Sequence, residues 1–510
     1  MSIAPLAQAA IGRKNNKALV LTGLMLGLIF AELDETIVST AMPTIIRDLH
    51  GLPLMGWVAG IYMLSMTLFM PILGKLADLY GRKRIYLACI GLFIAGSFVC
   101  GLAHSMPMLL VGRGIQGIGA GGLMPLAMVI LGDTYELEQR AKLQALFGPL
   151  MILPQLLGPT ISGELISHVN WHWIFLINLP FGILTAAVMW IGMVEKRGEE
   201  KKKIDWLGAA TLMLALLSLL LAPVLIETQG LSWGSPLIVG MLAMFVILTA
   251  LLIWIERRVE EPIIPLHLFR NRNVVVLSSI VFILMLGVMG TFANFPFFAQ
   301  NVMGLSPRAS GYLNLAFMGG AIPFSILVGF LITRVAYRTI FILSFTLPIV
   351  ALILMLQFGI DVSVLSVVIA FVVMGVGLGA LFGGDNLIVQ ESVSKEESGI
   401  ALSTVQLFQS IGASIGLSVF GSLLAGDIKN GIAGIANELP EGTANQIQTG
   451  GIPKGLAPDL LVQVKTAFAD AYHNLYVISI VFVCIAFVLC WFLKKEVLKK
   501  REDGDAPLAH

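Results

Sequence analysis

Residues 206–226, WLGAATLMLALLSLLLAPVLI, run from Trp206 to Ile226 without one ionisable side chain. About 20 apolar residues at 1.5 Å each cross the roughly 30 Å hydrocarbon core of a bilayer. Inside that core every backbone N–H and C=O must find its partner within the segment, so such a run is a helix. Residues 473–493 form a second run without Asp, Glu, Lys or Arg, with its one histidine, His473, at the start. The whole chain agrees: of 510 residues 57% are hydrophobic and 12% charged. That charged fraction is about half of what a soluble chain carries. Mean hydropathy is +0.90. The fold class is an all-α polytopic membrane protein.

Apolar runs separated by charged or Gly/Pro-rich breaks predict fourteen helices. The first six cover 18–41, 55–76, 84–103, 107–131, 142–167 and 173–194. A pair follows at 206–226 and 236–256. Six more cover 274–300, 309–333, 339–357, 363–389, 398–425 and 473–493. If the N-terminus is inside, twenty-six of the 32 Lys and Arg residues fall on the inner side, five fall outside, and Arg113 alone lies within a span. This bias places both termini in the cytoplasm. The N-terminal segment lacks the charged–apolar–small order of a cleavable signal, so the first span is expected to be retained. Cys89, Cys100, Cys484 and Cys490 all fall in spans, where packing is expected and no disulfide.

GKLADLYGRKR (74–84) after the second span has a degenerate echo in GFLITRVAYR (329–338) after the tenth. This doubling predicts two six-helix halves, 18–194 and 274–493, separated by linkers and an inserted pair within 195–273. Residues 1–17 and 494–510 are then cytoplasmic tails. A long external loop is expected at 426–472, with an amphipathic helix at 458–476 lying over the outer mouth.

Charge inside the bilayer is the informative exception. FAELDETIVSTAMP (30–43) puts Glu32, Asp34 and Glu35 in the first span, where each ionised acid costs about 2.5–3.5 kcal/mol near the centre. Counting 1.5 Å per residue, Asp34 lies about 22 Å from the inner edge, some 8 Å short of the outer one. Arg113, entered from the other side, lies about 8 Å deep as well. A pair at matched depth would keep the carboxylate charged. At 100° per residue Asp34 is about 160° from Glu32, so the three acids cannot share one face. Two readings stand for the pair, a structural salt bridge or a titrating site coupled to conformational change; intramembrane ionisable residues favour the second. Glu32 and Glu35 are read as near-interface acids or as further proton carriers.

LDETIVSTAMP (33–43), GKLADLYGRKR (74–84), RGIQGIGAGG (113–122), GPTISG (158–163) and WHWIFLINLPFG (171–182) resemble, in order, the signature stretches of the major facilitator superfamily. They are most similar to its fourteen-span drug–proton antiporter branch, the EmrB/QacA type. EPIIPLHLFRNRN (261–273) and FAQNVMGLSPRASG (298–311) resemble that branch too. The resemblance implies proton coupling through Asp34 and Arg113, and a cytoplasmic gating loop of Gly74, Asp78, Gly81, Arg82 and Arg84. It also implies an antiporter helix motif of Gly158, Pro159 and Gly163, to which kinking adds Gly148 and Pro149. Where the family often pairs glycines, this chain has Ser162-Gly163. For 74–84 a plain positive-inside signal is the alternative reading.

Other patterns are weaker. GRGIQG (112–117) and GIGAGG (117–122) match a nucleotide-binding glycine pattern, and GASIG (412–416) a hydrolase elbow, but all lie in apolar helices where small residues pack helices together. No phosphate-binding loop or metal-ligand spacing occurs, so no cofactor is expected and a proton gradient would supply the energy. Net charge +1 gives no footprint for nucleic acid. Gln116, Phe292, Asn294, Phe295, Gln300 and Asp385 are candidates for a substrate cavity; aromatic faces there would hold planar cations. Packing is the rival reading for the phenylalanines, and an interfacial position for Asp385.

The expected function is therefore not enzymatic: proton-coupled export of amphipathic or cationic compounds across the cytoplasmic membrane, by a protein working as a monomer. Export of an endogenous lipid precursor, siderophore or metabolite by the same mechanism is the alternative. A non-transporting receptor on a transporter fold is a distant third.

Overall fold

The computed structural model describes residues 15–49, 54–136, 139–140, 143, 147–194, 205–259, 262–394, 397–433, 447, 452 and 456–498. Its first half contains α1 (Lys17–Leu49), α2 (Met55–Tyr80), α3 (Arg82–Gly101), α4 (Met106–Thr134), α5 (Phe147–His168), the single turn α6 (Trp173–Leu176) and α7 (Asn178–Gly192). An inserted pair follows, α8 (Trp206–Gln229) and α9 (Pro236–Glu256), then a 3-10 turn, Leu266–Arg270. The second half contains α10 (Arg272–Asn301), α11 (Pro307–Leu331), α12 (Tyr337–Met355), α13 (Val364–Ser392), α14 (Ser398–Ala433) and α15 (Pro458–Cys490).

Among the described residues twelve helical stretches are long and apolar enough to cross a membrane, α6 and α7 counting as one. Helices α1 and α5 are not among them, and the three acids of α1 explain its failure on composition. Both are nevertheless packed into the first half, against each other.

Local chemistry starts several helices in the same way. Ser105, Ser235 and Ser306 each turn their hydroxyl back to accept the N–H three residues on, at 3.5, 3.4 and 3.2 Å. Each precedes a proline in the first turn, whose missing N–H costs nothing there. Gly81, with φ 102°, joins α2 to α3 through a single residue; a side chain would strain that backbone.

The two halves repeat one packing scheme. In the first, α1 lies against α5 and α7, α2 against α4, and α3 against α4 and α7; in the second, α10 lies against α14 and α15, α11 against α13, and α12 against α13 and α15. The glycine pattern of α4 serves this packing. A Cβ on Gly117 would stand 2.4 Å from the Tyr62 carbonyl, and one on Gly119 2.5 Å from that of Cys89. Gly412 and Gly416 of α14 press equally on α10, 2.4 Å from the Phe282 and Leu286 carbonyls. The pair α8–α9 docks through α8 on α2 and α14, along the seam between the halves.

One end of the bundle gathers the basic loops. Tyr135 donates its hydroxyl to the Lys17 carbonyl, Arg82 pairs with Asp133, and Asn271 donates to the Ser392 carbonyl at 2.5 Å. Cations also lie over tryptophans here: Lys83 over Trp190, Arg258 over Trp254 and Arg338 over Trp491, at 5.0, 3.9 and 5.4 Å. Exposed tryptophans beside Lys and Arg mark a membrane–water boundary.

The C-terminal region departs from expectation. Segment 458–476 is not a separate helix over a mouth: it is the first half of α15, continuous with the apolar run. Its charges Asp459, Lys465 and Asp470 had suggested a break, but Val464, Phe468 and Tyr472 carry one buried face straight through. Helix α14 likewise runs on to Ala433, so the expected loop 426–472 is helical at both ends. Most of 434–455 lies outside the described residues.

Candidate functional site

Asp34 of α1 is fully buried, and four helices converge on it. Its Oδ2 accepts from Arg113 Nη1 of α4 at 2.5 Å. Its Oδ1 accepts from Gln116 Nε2 at 3.1 Å and from Asn178 Nδ2, at the start of α7, at 2.6 Å. Gln116 also accepts from Arg113 at 3.0 Å and donates to Ser97 Oγ of α3 at 2.7 Å. Arg113 donates Nε to the Val58 carbonyl at 3.3 Å and lies 4.1 Å above the Tyr62 ring. Each polar atom of the carboxylate is thus satisfied without water. Hydrogen bonds to a charged group contribute about 1.5–3 kcal/mol each, and an ionised group in such a setting persists only when so held.

The position of Asn178 follows from a broken helix. Backbone α6 ends at Leu176, Ile177 intervenes, and α7 begins at Asn178. That offset brings a first-turn side chain inward to the depth of Asp34. Ser97 and Asn178 were not singled out in the sequence, because one serine and one asparagine in apolar helices look like ordinary tolerated polarity; WIFLINLPFG was the only hint.

Glu32 and Glu35 are half-buried and stand outside this network; neither forms an ion pair among the described residues. The helix-periodicity argument for separate faces agrees with this placement.

The basic end supplies a second cluster, and it joins the halves. Asp78 Oδ2 accepts the Ile400 backbone N–H at 3.0 Å, while Oδ1 stands 3.5 Å from Arg82 Nη2. Arg82 also donates to Ser398 Oγ at 3.0 Å and pairs with Asp133. A Cβ on Gly74 would fall 2.2 Å from Ser403 Oγ, and one on Gly399 2.5 Å from the Asp78 carboxylate. So α2 and α14 touch closely because both lack side chains at the contact. Gly81 forms the turn, and Arg84 is exposed. A third tie was not foreseen: Arg140 Nη1 donates to Gln390 Oε1 at 2.7 Å and pairs with Glu391, and Gln390 donates to the Met128 carbonyl at 2.9 Å.

In α5, Gly158 packs on α1, where a Cβ would meet Thr36 Oγ1 at 2.3 Å. Thr36 donates to the Pro154 carbonyl at 3.0 Å, and Ser162, fully buried, donates to the Ile37 carbonyl at 3.2 Å. Gly163 is exposed, with nothing within 4 Å of its Cβ direction. The contacts of this motif with α1 are made by Gly158 and Ser162, one turn apart, and not by Gly163. Gly148, Pro149 and Pro159 lie in the same helix; their side-chain surroundings fall outside the described residues.

The candidate cavity residues do not form one site. Gln116 belongs to the Asp34 network. Phe295 is core, 1% exposed, against Phe298 and Phe371. Phe292 is half-buried against Phe317 and Phe371. Asn294 donates to the Gly290 carbonyl of its own helix, and Gln300, exposed, donates to Ser310 Oγ. Asp385 lies toward the opposite end of the bundle from Gln300; it is 8% exposed and accepts the neighbouring Asn386 N–H at 2.6 Å. Packing of α10 against α11, α13 and α15 explains the aromatic group, Phe292, Phe295, Phe297 and Phe298, which could not be assigned to faces from a stretch interrupted by Pro296.

Comparisons with known proteins give the family and the fold. The family model described as Major Facilitator Superfamily matches residues 24–258 and 206–417. The multidrug transporter protein MdtP of Bacillus subtilis (strain 168) is 32% identical over 520 residues, covering 96% of each chain. Multidrug resistance protein 3 of the same organism is 30% identical, covering 94% of this chain and 96% of its own. Among solved structures, the proton:xylose symporter XylE superposes with TM-score 0.61 at 12% identity, over 93% of this chain and 95% of that one. The human organic anion transporter MFSD10 gives 0.60 at 14%, over 92% and 100%. At those identities the structures speak for the fold alone.

Proposed function

Since this chain belongs to the Major Facilitator Superfamily, we propose that it is a multidrug exporter that exchanges amphipathic or cationic compounds for protons across the cytoplasmic membrane. The multidrug names of its relatives support the substrate class. The observation that carries the coupling is the fully buried Asp34–Arg113 pair, held by Gln116 and Asn178.

A proton reaching Asp34 removes the charge that Arg113, Gln116 and Asn178 all address. Helices α1, α4 and α7 are then joined by weaker, neutral hydrogen bonds, and α3 is drawn in through Ser97. Loss of that common anchor lets the first half shift against the second. In the present arrangement the halves are tied at the basic end through Asp78, Arg82, Arg140 and Gln390. With that end in the cytoplasm, as the Lys and Arg bias favours, this is the outward-facing state in which substrate leaves and a proton enters. Return of the proton to the inside restores the pair and admits the next substrate.

Fourteen spans in the pattern six, two, six follow if α1 and α5 cross the membrane with the twelve apolar helices. The even inserted pair then leaves the sidedness of the second half unchanged. Glu32 and Glu35, half-buried beside the network, are secondary proton carriers in this reading. The unit is a monomer.

The test is ethidium movement in proteoliposomes under an imposed pH gradient, comparing the native chain with Asp34→Asn. Native transport with loss in the variant is expected. Equal gradient-driven transport in both would remove Asp34 from the coupling step.

A further inference from the structure

A cavity of about 1240 Å³ lies between the inserted pair and the second half, away from the Asp34 network. Its walls are apolar side chains of four helices: Leu216 and Leu219 of α8, Phe245 of α9, Phe282 of α10, and Ile411 and Ile415 of α14. None of these makes the contacts that join the halves. At the basic end the lining changes character, to Arg257 just past α9, and to His267 and Arg270 in the 3-10 turn. Both arginines are exposed, and neither forms an ion pair among the described residues. The carboxylate in the lining, Glu256, is held by one oxygen: its Oε1 accepts the N–H groups of Ile263 and Ile264 at 3.1 and 3.4 Å, while Oε2 is buried without a hydrogen-bond partner among the described residues. Trp254 with Arg258 stacked on it fixes the level of the membrane boundary at this rim.

We propose that this crevice is a binding site for an anionic phospholipid of the leaflet at the basic end. Apolar walls at acyl-chain depth with two exposed guanidiniums at headgroup depth match that amphiphile in both parts, and guanidinium pairs phosphate in bidentate geometry. A zwitterionic lipid would bring an ammonium to the same arginines. A cationic compound would meet like charge.

The site also adjoins the tie between the halves. His267 Nε2 lies 2.6 Å from Glu397 Oε1, and the next residue, Ser398, accepts from Arg82. A headgroup phosphate at Arg270 would compete with Glu397 for His267, within two residues of the contact that closes the basic end.

The experiment is native mass spectrometry of the purified full chain titrated with dioleoylphosphatidylglycerol or dioleoylphosphatidylcholine. The native protein is expected to prefer the glycerol lipid. Arg257→Gln with Arg270→Gln should lower its affinity about 25-fold, from a roughly fivefold loss per arginine, and leave the choline lipid unchanged. Arg257→Lys with Arg270→Lys should retain most of the preference, which separates charge from misfolding. Equal affinity for the two lipids in the native protein, or an unchanged preference in the glutamine variant, would overturn the proposal.

Discussion

Asp34 is the residue around which the first half is organised, and its partners decide how hard it is to change. Removing Arg113 leaves a fully buried carboxylate facing two amides and no cation. Loss of one partner of such a pair costs about 3–5 kcal/mol, so Arg113→Ala is expected to lower the unfolding temperature sharply as well as abolish transport. Arg113→Lys should recover part of the stability and little of the activity. One ammonium cannot reach Asp34, the Val58 carbonyl and the Tyr62 ring together, as the guanidinium does. Asn178→Ala deletes the 2.6 Å bond to Oδ1 and should cost about 1.5–3 kcal/mol, read by thermal denaturation in detergent. At this scale the sequence was informative where charge was involved. Matched depth alone joined Asp34 to Arg113, because an ion in hydrocarbon has few places to be. The neutral partners Ser97, Gln116 and Asn178 carried no such constraint, and Gln116 was sought in a cavity rather than on the carboxylate.

Helices contact one another in this protein through glycine, and the contacts differ in tolerance. A Cβ on Gly375 of α13 would lie 1.9 Å from the Phe317 carbonyl of α11, which cannot move without displacing the helix. Gly375→Ala is therefore expected to destabilise by about 1–3 kcal/mol or more and reduce the folded yield. Gly163→Ala, facing open space, should leave both yield and transport unchanged. The pair is checked by fluorescence-detected size exclusion of the two variants. If Gly163→Ala is the harmful one, the close approach of α5 to α1 is elsewhere than at Gly158. Element boundaries were legible where a serine–proline start or a basic loop marked them. They failed where charges lie on a helix that continues: Asp459, Lys465 and Asp470 are polar positions on α15, not a break in it. Which glycine in α5 packs is a question of helical face, and the neighbouring helix that decides it is invisible in a single sequence.

The whole molecule is two similar bundles tied at the basic end, with one inserted pair of helices laid along their seam. The doubling showed in the sequence only as the echo of 74–84 in 329–338, since helix packing preserves size and spacing rather than identity. Where the halves meet could not be read at all: Arg140–Gln390 and Asp78–Ile400 join residues hundreds of positions apart. Asp78→Asn weakens the charge-assisted bond to the Ile400 N–H and the pairing with Arg82. A loss of about 1.4 kcal/mol shifts a two-state equilibrium tenfold toward the opposite conformation. Electron spin resonance distances between labels at Tyr80 and Val335, exposed on the two halves near that end, should show a longer-distance population growing in Asp78→Asn. An unchanged distribution would mean that Arg140 and Gln390 hold the closure by themselves.

The most direct test of the account is proton release on substrate binding. Purified protein in weakly buffered detergent solution is mixed with ethidium at a series of starting pH values while a pH indicator is followed. The account predicts protons released in proportion to substrate bound by the native chain, and none by Asp34→Asn binding the same substrate. Release of the same size from Asp34→Asn would contradict it and move the exchanged proton to another group.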